Sequence, residues 1–164
     1  QTTRPCRTFS TLTRRSKSCA DVLCLDVNVL VYAHRSDVPE HEHYRSLLAD
    51  LANGLEPIGL SDMVLSGFVR LVTNRRAFAV PTPTADAWRF VDQLLDAPAA
   101  MLLRAGERHW THFRRLANDI DARGPDVADA YLAAYAVDNN ATFISADRGF
   151  ARFSRLRWRH PLDG

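Results

Sequence analysis

The chain has 164 residues, 46% hydrophobic and 24% charged, with seven Gly and eight Pro. These fractions lie near the soluble globular average and exclude collagen-like, disordered and coiled-coil classes. One domain with a real core is expected at this length, and no apolar run reaches the roughly 20 residues of a bilayer span. The net charge of +2 divides into +5 over residues 1–20, from Arg4, Arg7, Arg14, Arg15 and Lys17, and −3 over the remainder. Net charge alone therefore does not argue for a nucleic-acid partner.

Residues 1–20 are rich in Ser, Thr and Arg, lack hydrophobic periodicity and lack the apolar stretch of a secretory signal. They read as a disordered leader or a misplaced start, and the domain is expected over 21–164. Val22–Leu25 reads as a buried strand ending at Asp26, and Cys24 within it as a buried free thiol. Cys6, Cys19 and Cys24 form no Cys-x-x-Cys pair, and the composition fits a reducing cytosol. Val29–His34 turns helical, and His41–Asn53 is an amphipathic helix stopped by Gly54. His34, His41 and His43 are expected on solvent-facing helix surfaces. Glu56–Leu60 is a second strand, after which Ser61 or Asp62 caps a helix carrying Val64, Leu65, Phe68, Leu71 and Val72.

Pro81 and Pro83 mark a loop, and Thr84 is placed to cap a helix through Leu95 with Trp88, Val91, Leu94 and Leu95 inward. Ala100–Leu103 is a strand and Glu107–Ala122 a helix with Trp110, Phe113, Leu116 and Ile120 inward. Gly124-Pro125 breaks the chain and opens a helix over Asp126–Val137. Thr142–Ser145 is a strand, Asp147-Arg148-Gly149 a turn, and Leu156–Trp158 a last short strand. Strands separated by helices predict an α/β layered fold on a parallel sheet.

The acids fall in an informative pattern. Asp26 ends one strand and Asp147 follows another, while Asp126 and Asp129 stand three apart at the opening of a helix and share one face. Ligands of parallel α/β sheets bind at the carboxyl ends of strands, so all four acids are candidates for one cleft. Clustered carboxylates repel unless a cation neutralises them, and hard oxygen donors favour Mg²⁺ or Mn²⁺. Taken singly, Asp126 and Asp129 could merely complement a helix dipole, and Asp147 could be a turn residue. A carboxylate directly after four apolar residues, as Asp26 is, must be partnered or functional.

Leu25-Asp26-Val27-Asn28-Val29-Leu30-Val31-Tyr32-Ala33 resembles the opening motif of PIN-domain ribonucleases. Asp129–Ala136 is similar to their third motif and Ser145-Ala146-Asp147-Arg148-Gly149-Phe150 to their fourth. The likeness is greatest to the VapC toxins of type II toxin–antitoxin pairs, particularly actinobacterial ones, extends through Phe153–Pro161, and covers about residues 22–162. It implies a PIN-like three-layer fold, with a short central, mostly parallel sheet flanked by helices. It also implies Mg²⁺-dependent (or Mn²⁺-dependent) cleavage of RNA phosphodiesters, a VapB-like antitoxin, a homodimer, and no membrane. Asp26 and Asp129 are then the leading metal ligands, with Asp147 a ligand or water-positioning acid and Asn28 and Ser145 hydrogen-bonding supports.

One departure stands out. Where the family usually carries a Glu, this chain has Gly67. Asp126 is the better substitute candidate, and Asp62 reads as a cap or first-turn acid.

Arg148, Arg152, Arg155, Arg157 and Arg159 crowd a stretch without acids, with Arg75-Arg76 a second basic patch. Arg148 and Arg152 are the candidates for phosphate contact, although an Arg-rich surface is also what a nearly Lys-free composition makes. An aspartyl-phosphate phosphatase of the haloacid-dehalogenase type is disfavoured, because Asn28 stands where its second Asp belongs and the lone Lys17 lies upstream. A degenerate PIN domain that binds RNA or a protein without catalysis is the other reading, carried by Gly67.

Overall fold

The structure, a computed structural model, describes residues 21–163, so the leader predicted over 1–20 lies outside it. Five short strands, β1 (Leu23–Leu25), β2 (Ile58–Ser61), β3 (Ala100–Leu103), β4 (Thr142–Ile144) and β5 (Trp158–Arg159), form one sheet in the order β3-β2-β1-β4-β5. Every pairing is parallel, and Leu23 lies between Ile58 and Thr142. The helices are α1 (Val27–His34), α2 (His41–Ala52), α3 (Asp62–Val72), α4 (Thr84–Leu95), α5 (His109–Asp119) and α6 (Pro125–Asp138). A short 3-10 helix, Arg148–Arg152, follows β4.

Alternation along the strands builds the layers. Leu23, Leu25, Ile58, Leu60 and Ile144 point to a core shared with α1 to α4. Cys24, Leu103 and Phe143 point to the opposite core, closed by α5, α6, Phe150 and Phe153. The face of α6 toward the sheet is made of Ala130, Ala133, Ala134 and Ala136, small side chains that let the helix lie close. From β1 the chain winds outward through β2 to β3, then crosses back to β4 on the other side of β1. The carboxyl end of β1 is thus the topological switch point, where open α/β sheets hold ligands.

Helix α1 begins at Val27, two residues before its predicted start, because the Asp26 side chain accepts from the Val27 N–H and caps it. Ser61 caps α3 through the Val64 N–H, and Pro83, rather than Thr84, stands at the N-cap of α4. Helix α5 is shorter than predicted at both ends.

Three large residues expected inside are not. Trp110 is 62% exposed and Trp88 49%, and Leu95 is also exposed. Their neighbours His109 and Ala87 take the buried positions, with His109 Nε2 against the Tyr131 carbonyl. Two histidines move the other way. His34 lies edge-on to Phe68 and Phe90, and His41 Nδ1 meets the Tyr32 carbonyl, so neither faces solvent freely. Among the described residues no helix is long and apolar enough to cross a membrane.

Candidate active site

Asp26 sits at the switch point, 3% exposed. Its Oδ1 accepts from the Val27 N–H at 2.6 Å, and its Oδ2 accepts from Ser145 Oγ at 2.6 Å and Asn28 Nδ2 at 2.8 Å. Asn28 Nδ2 also donates to Ser145 Oγ at 3.0 Å, and Asn28 Oδ1 accepts from the Ala146 N–H at 3.1 Å. Ser145 Oγ in turn accepts from the Asp147 N–H at 3.0 Å. One closed network therefore stitches the end of β1 to the segment after β4, with Asn28 and Ser145 both hydrogen-bonded to Asp26. Trp158 adds a tie through its Nε1, which donates to the Ser145 carbonyl.

All the donors to Asp26 are neutral, so its charge is hydrogen-bonded but not compensated. Burial pushes the Asp26 carboxyl up to about 6, opposed by the bonds from Ser145 and Val27, with the charges of Asp129 and Asp147 pushing it further up. Asp129 is also raised, first by burial and then by Asp147 and Asp126, against the lowering effect of Arg152. Burial, with Asp26 adding to it, pushes the Cys24 thiol up to about 12, and it stays protonated.

Asp147 is exposed and caps the 3-10 helix, accepting from the Gly149 N–H at 2.7 Å. Asp126 and Asp129, half-exposed in the first turns of α6, meet one guanidinium. Arg152 Nη1 lies 3.0 Å from Asp126 Oδ1, and its Nη2 lies 2.9 Å from Asp129 Oδ2. Arg148 pairs with Asp163 at 3.0 Å. The sequence marked both arginines but not these partners, since pairing across 23 residues depends on how the 3-10 helix packs.

Asp62 is separate. It accepts from the Tyr135 hydroxyl at 3.0 Å and from the Met63 N–H. At Gly67 a Cβ would meet only Val27 Cγ2, at an ordinary 3.6 Å. The absent carboxylate is thus a matter of residue choice, not of space beside Asp26. Because a helix-interior Gly costs about 0.5–1 kcal/mol relative to Ala, Gly67→Ala is expected to raise Tm by about 2–3 °C. Thermal denaturation checks this; a lower Tm would mean the position is tighter than its contacts indicate.

The donors at this edge are all oxygen, the set that suits Mg²⁺ or Mn²⁺. The uncompensated buried carboxylate of Asp26 is what such a cation would neutralise. With Arg152 holding Asp126 and Asp129, however, no three acids among the described residues stand close enough together to share one ion.

The PIN domain family profile matches residues 23–156. The chain is 69% identical over 143 residues to VapC ribonuclease Mb2897 of Mycobacterium bovis and to ribonuclease VapC43 of Mycobacterium tuberculosis, covering 87% of this chain and 97% of each relative. Ribonuclease VapC25 of Mycobacterium tuberculosis is 39% identical over 84% of this chain and 96% of its own. Among solved structures, VapBC2 of Rickettsia felis, bound to a promoter DNA fragment, matches with a TM-score of 0.65 at 19% identity, over 85% of this chain and 98% of that one. VapC20 of Mycobacterium tuberculosis, a sarcin–ricin loop cleaving toxin, matches at 0.59 and 14% identity, over 84% and 98%. At such identities these structures speak to the fold alone.

Proposed function

Since this chain belongs to the PIN-domain family, alongside the VapC ribonucleases, we propose that it is the ribonuclease toxin of a toxin–antitoxin pair, hydrolysing RNA phosphodiesters with Mg²⁺ or Mn²⁺. The observation that carries this reading is the buried, uncompensated carboxylate of Asp26, raised further by Asp129 and Asp147 at the switch point of the sheet.

Asp26 and Asp129 would hold the ion, and Asp147 would hold it or orient the attacking water. Asp126 stands at the rim, paired with Arg152. When bound, a divalent ion supplies positive charge against the phosphodiester and lowers the pKa of a coordinated water. The protein's part is to keep Asp26 ionised and correctly turned. Ser145 and Asn28 do this by donating to one carboxylate oxygen, while the α1 amide of Val27 fixes the other. Arg148 and Arg152, on the turn that carries Asp147, are the proposed phosphate contacts. To meet RNA each would have to leave its carboxylate partner, Asp163 for Arg148 and Asp126 with Asp129 for Arg152.

The structural relatives include VapBC complexes, and a VapB-like antitoxin is the proposed partner here. A groove of about 530 Å³, whose apolar lining includes Leu48, Phe90 and Leu94 and whose polar lining includes Arg45, Gln93 and Asp96, supports that reading, since an amphipathic helix fits such a surface. Homodimerisation and a cytoplasmic location form part of the same proposal.

RNA cleavage by the purified chain is expected to vanish in EDTA and return with Mg²⁺ or Mn²⁺. Asp129→Asn should cost more than about 100-fold and the rim variant Asp126→Asn about tenfold, the range for disturbing a metal's supporting residues. RNA binding without cleavage at any metal concentration would favour the degenerate reading that Gly67 raises.

A further inference from the structure

The Asp126–Arg152–Asp129 bridge places a fixed positive charge among the acids that the proposed function assigns to a metal ion. We propose that Arg152 is a resident counter-cation that competes with the divalent ion for Asp129, so that loading the centre exchanges a guanidinium for a metal. This inference rests on the metal reading of the site.

Several observations lead to it. Arg152 closes the 3-10 helix that Asp147 opens, so the competing charge and the third acid ride on one turn. That turn is anchored by Phe153, 2% exposed, whose ring lies 5.2 Å from the Arg152 guanidinium carbon. Arg152 takes one oxygen from each carboxylate, and among the described residues no other side-chain or amide donor reaches either one. While the bridge holds, the acids are not gathered into a site for one ion. The Arg152, Asp126 and Asp129 side chains are each about a third exposed, at 36%, 38% and 30%. Ion pairs in that setting are weak and readily exchanged.

Three effects of removing the guanidinium act in the same direction. Asp129 loses the partner that draws it aside, the incoming ion loses a like charge, and the acids are left with stronger mutual repulsion for a cation to relieve. A supporting clamp would behave in the opposite way, because its loss would loosen the ligands. In the loaded state Arg152 is released at the rim, where it can meet a substrate phosphate.

Calorimetric titration of the full chain with Mn²⁺ tests the exchange. Arg152→Gln is expected to bind Mn²⁺ roughly three- to tenfold more tightly than the unaltered protein. Arg152→Lys keeps the charge but cannot span both carboxylates, and should fall between. In EDTA, Arg152→Gln should melt lower than the unaltered chain and gain more Tm on adding Mn²⁺. Equal or weaker Mn²⁺ binding by Arg152→Gln overturns the proposal. If the unaltered chain binds Mn²⁺ and Asp129→Asn does not, such a result leaves the metal reading intact. If the unaltered chain takes up no Mn²⁺, the metal reading fails and the exchange with it.

Discussion

Asp26→Asn is expected to lower RNA cleavage by more than about 100-fold while raising the metal-free Tm at pH 7.5 by about 3 °C. The loss follows from removing a carboxylate proposed to hold the ion. The gain follows from the carboxyl being pushed from 3.8 to about 6 by burial. A pKa raised on folding contributes stability that is present below pH 3.8 and lost as pH rises through about 6. At pH 7.5 the ionised form therefore costs about 3 kcal/mol. Asparagine removes that cost but turns one acceptor into a donor, facing either the Val27 N–H or the Ser145–Asn28 pair, a penalty of about 1–2 kcal/mol. The net gain is about 1 kcal/mol. At pH 4, where Asp26 is already mostly neutral, only the penalty remains and the variant should melt lower than the unaltered chain. Thermal denaturation in EDTA at both pH values reads the crossing. Cleavage at the unaltered rate, or a lower Tm at both, would remove Asp26 from its role.

Ser145→Ala is the second large effect. Ser145 is fully buried and donates at 2.6 Å to Asp26 Oδ2, a bond that favours the charged carboxylate and holds its pKa down against burial. Without it the Asp26 carboxyl rises above about 6, and the Asp147 N–H loses its acceptor. Protons and metal compete for the same oxygen atoms, so at fixed Mg²⁺ the acid limb of the pH–rate profile should move toward alkaline pH. At pH 7 the rate should fall about 10–100-fold, with partial recovery above pH 8.5. A uniform loss at every pH would instead indicate that the hydroxyl only holds the loop after β4.

Much of this was legible in the sequence, for physical reasons. Asp26 stood out because a charge directly after a buried run has to be accounted for. Asn28 and Ser145 entered only through the resemblance to the PIN-domain motifs, since Ser145 lies 119 residues from Asp26 along the chain. The layering followed from strands alternating with amphipathic helices. Arg152 was visible only as a candidate phosphate contact, since its hold on Asp126 and Asp129 depends on the packing of Phe150 and Phe153 beneath a 3-10 turn. Trp88 and Trp110 were expected on the inward faces of their helices, yet at each place a neighbour fits the helix interface better. Ala87 lets α4 approach closely, and His109 stacks on Tyr131 and Tyr135.

The network that holds Asp26 has a consequence for how the protein is made. Asp26 and Ser145 are 119 residues apart, and the central strand β1 gains β4 as a neighbour only from that distant segment. Parallel pairing at such separation must wait for a large loop to close and is slow relative to helix formation. At typical translation rates, the stretch between them takes on the order of ten seconds to synthesise. A ribosome-bound chain therefore carries Asp26 through that interval without Ser145 to orient it. On the proposed function, nuclease competence arrives late and all at once, which leaves the translating cell a harmless interval before each toxin molecule is complete.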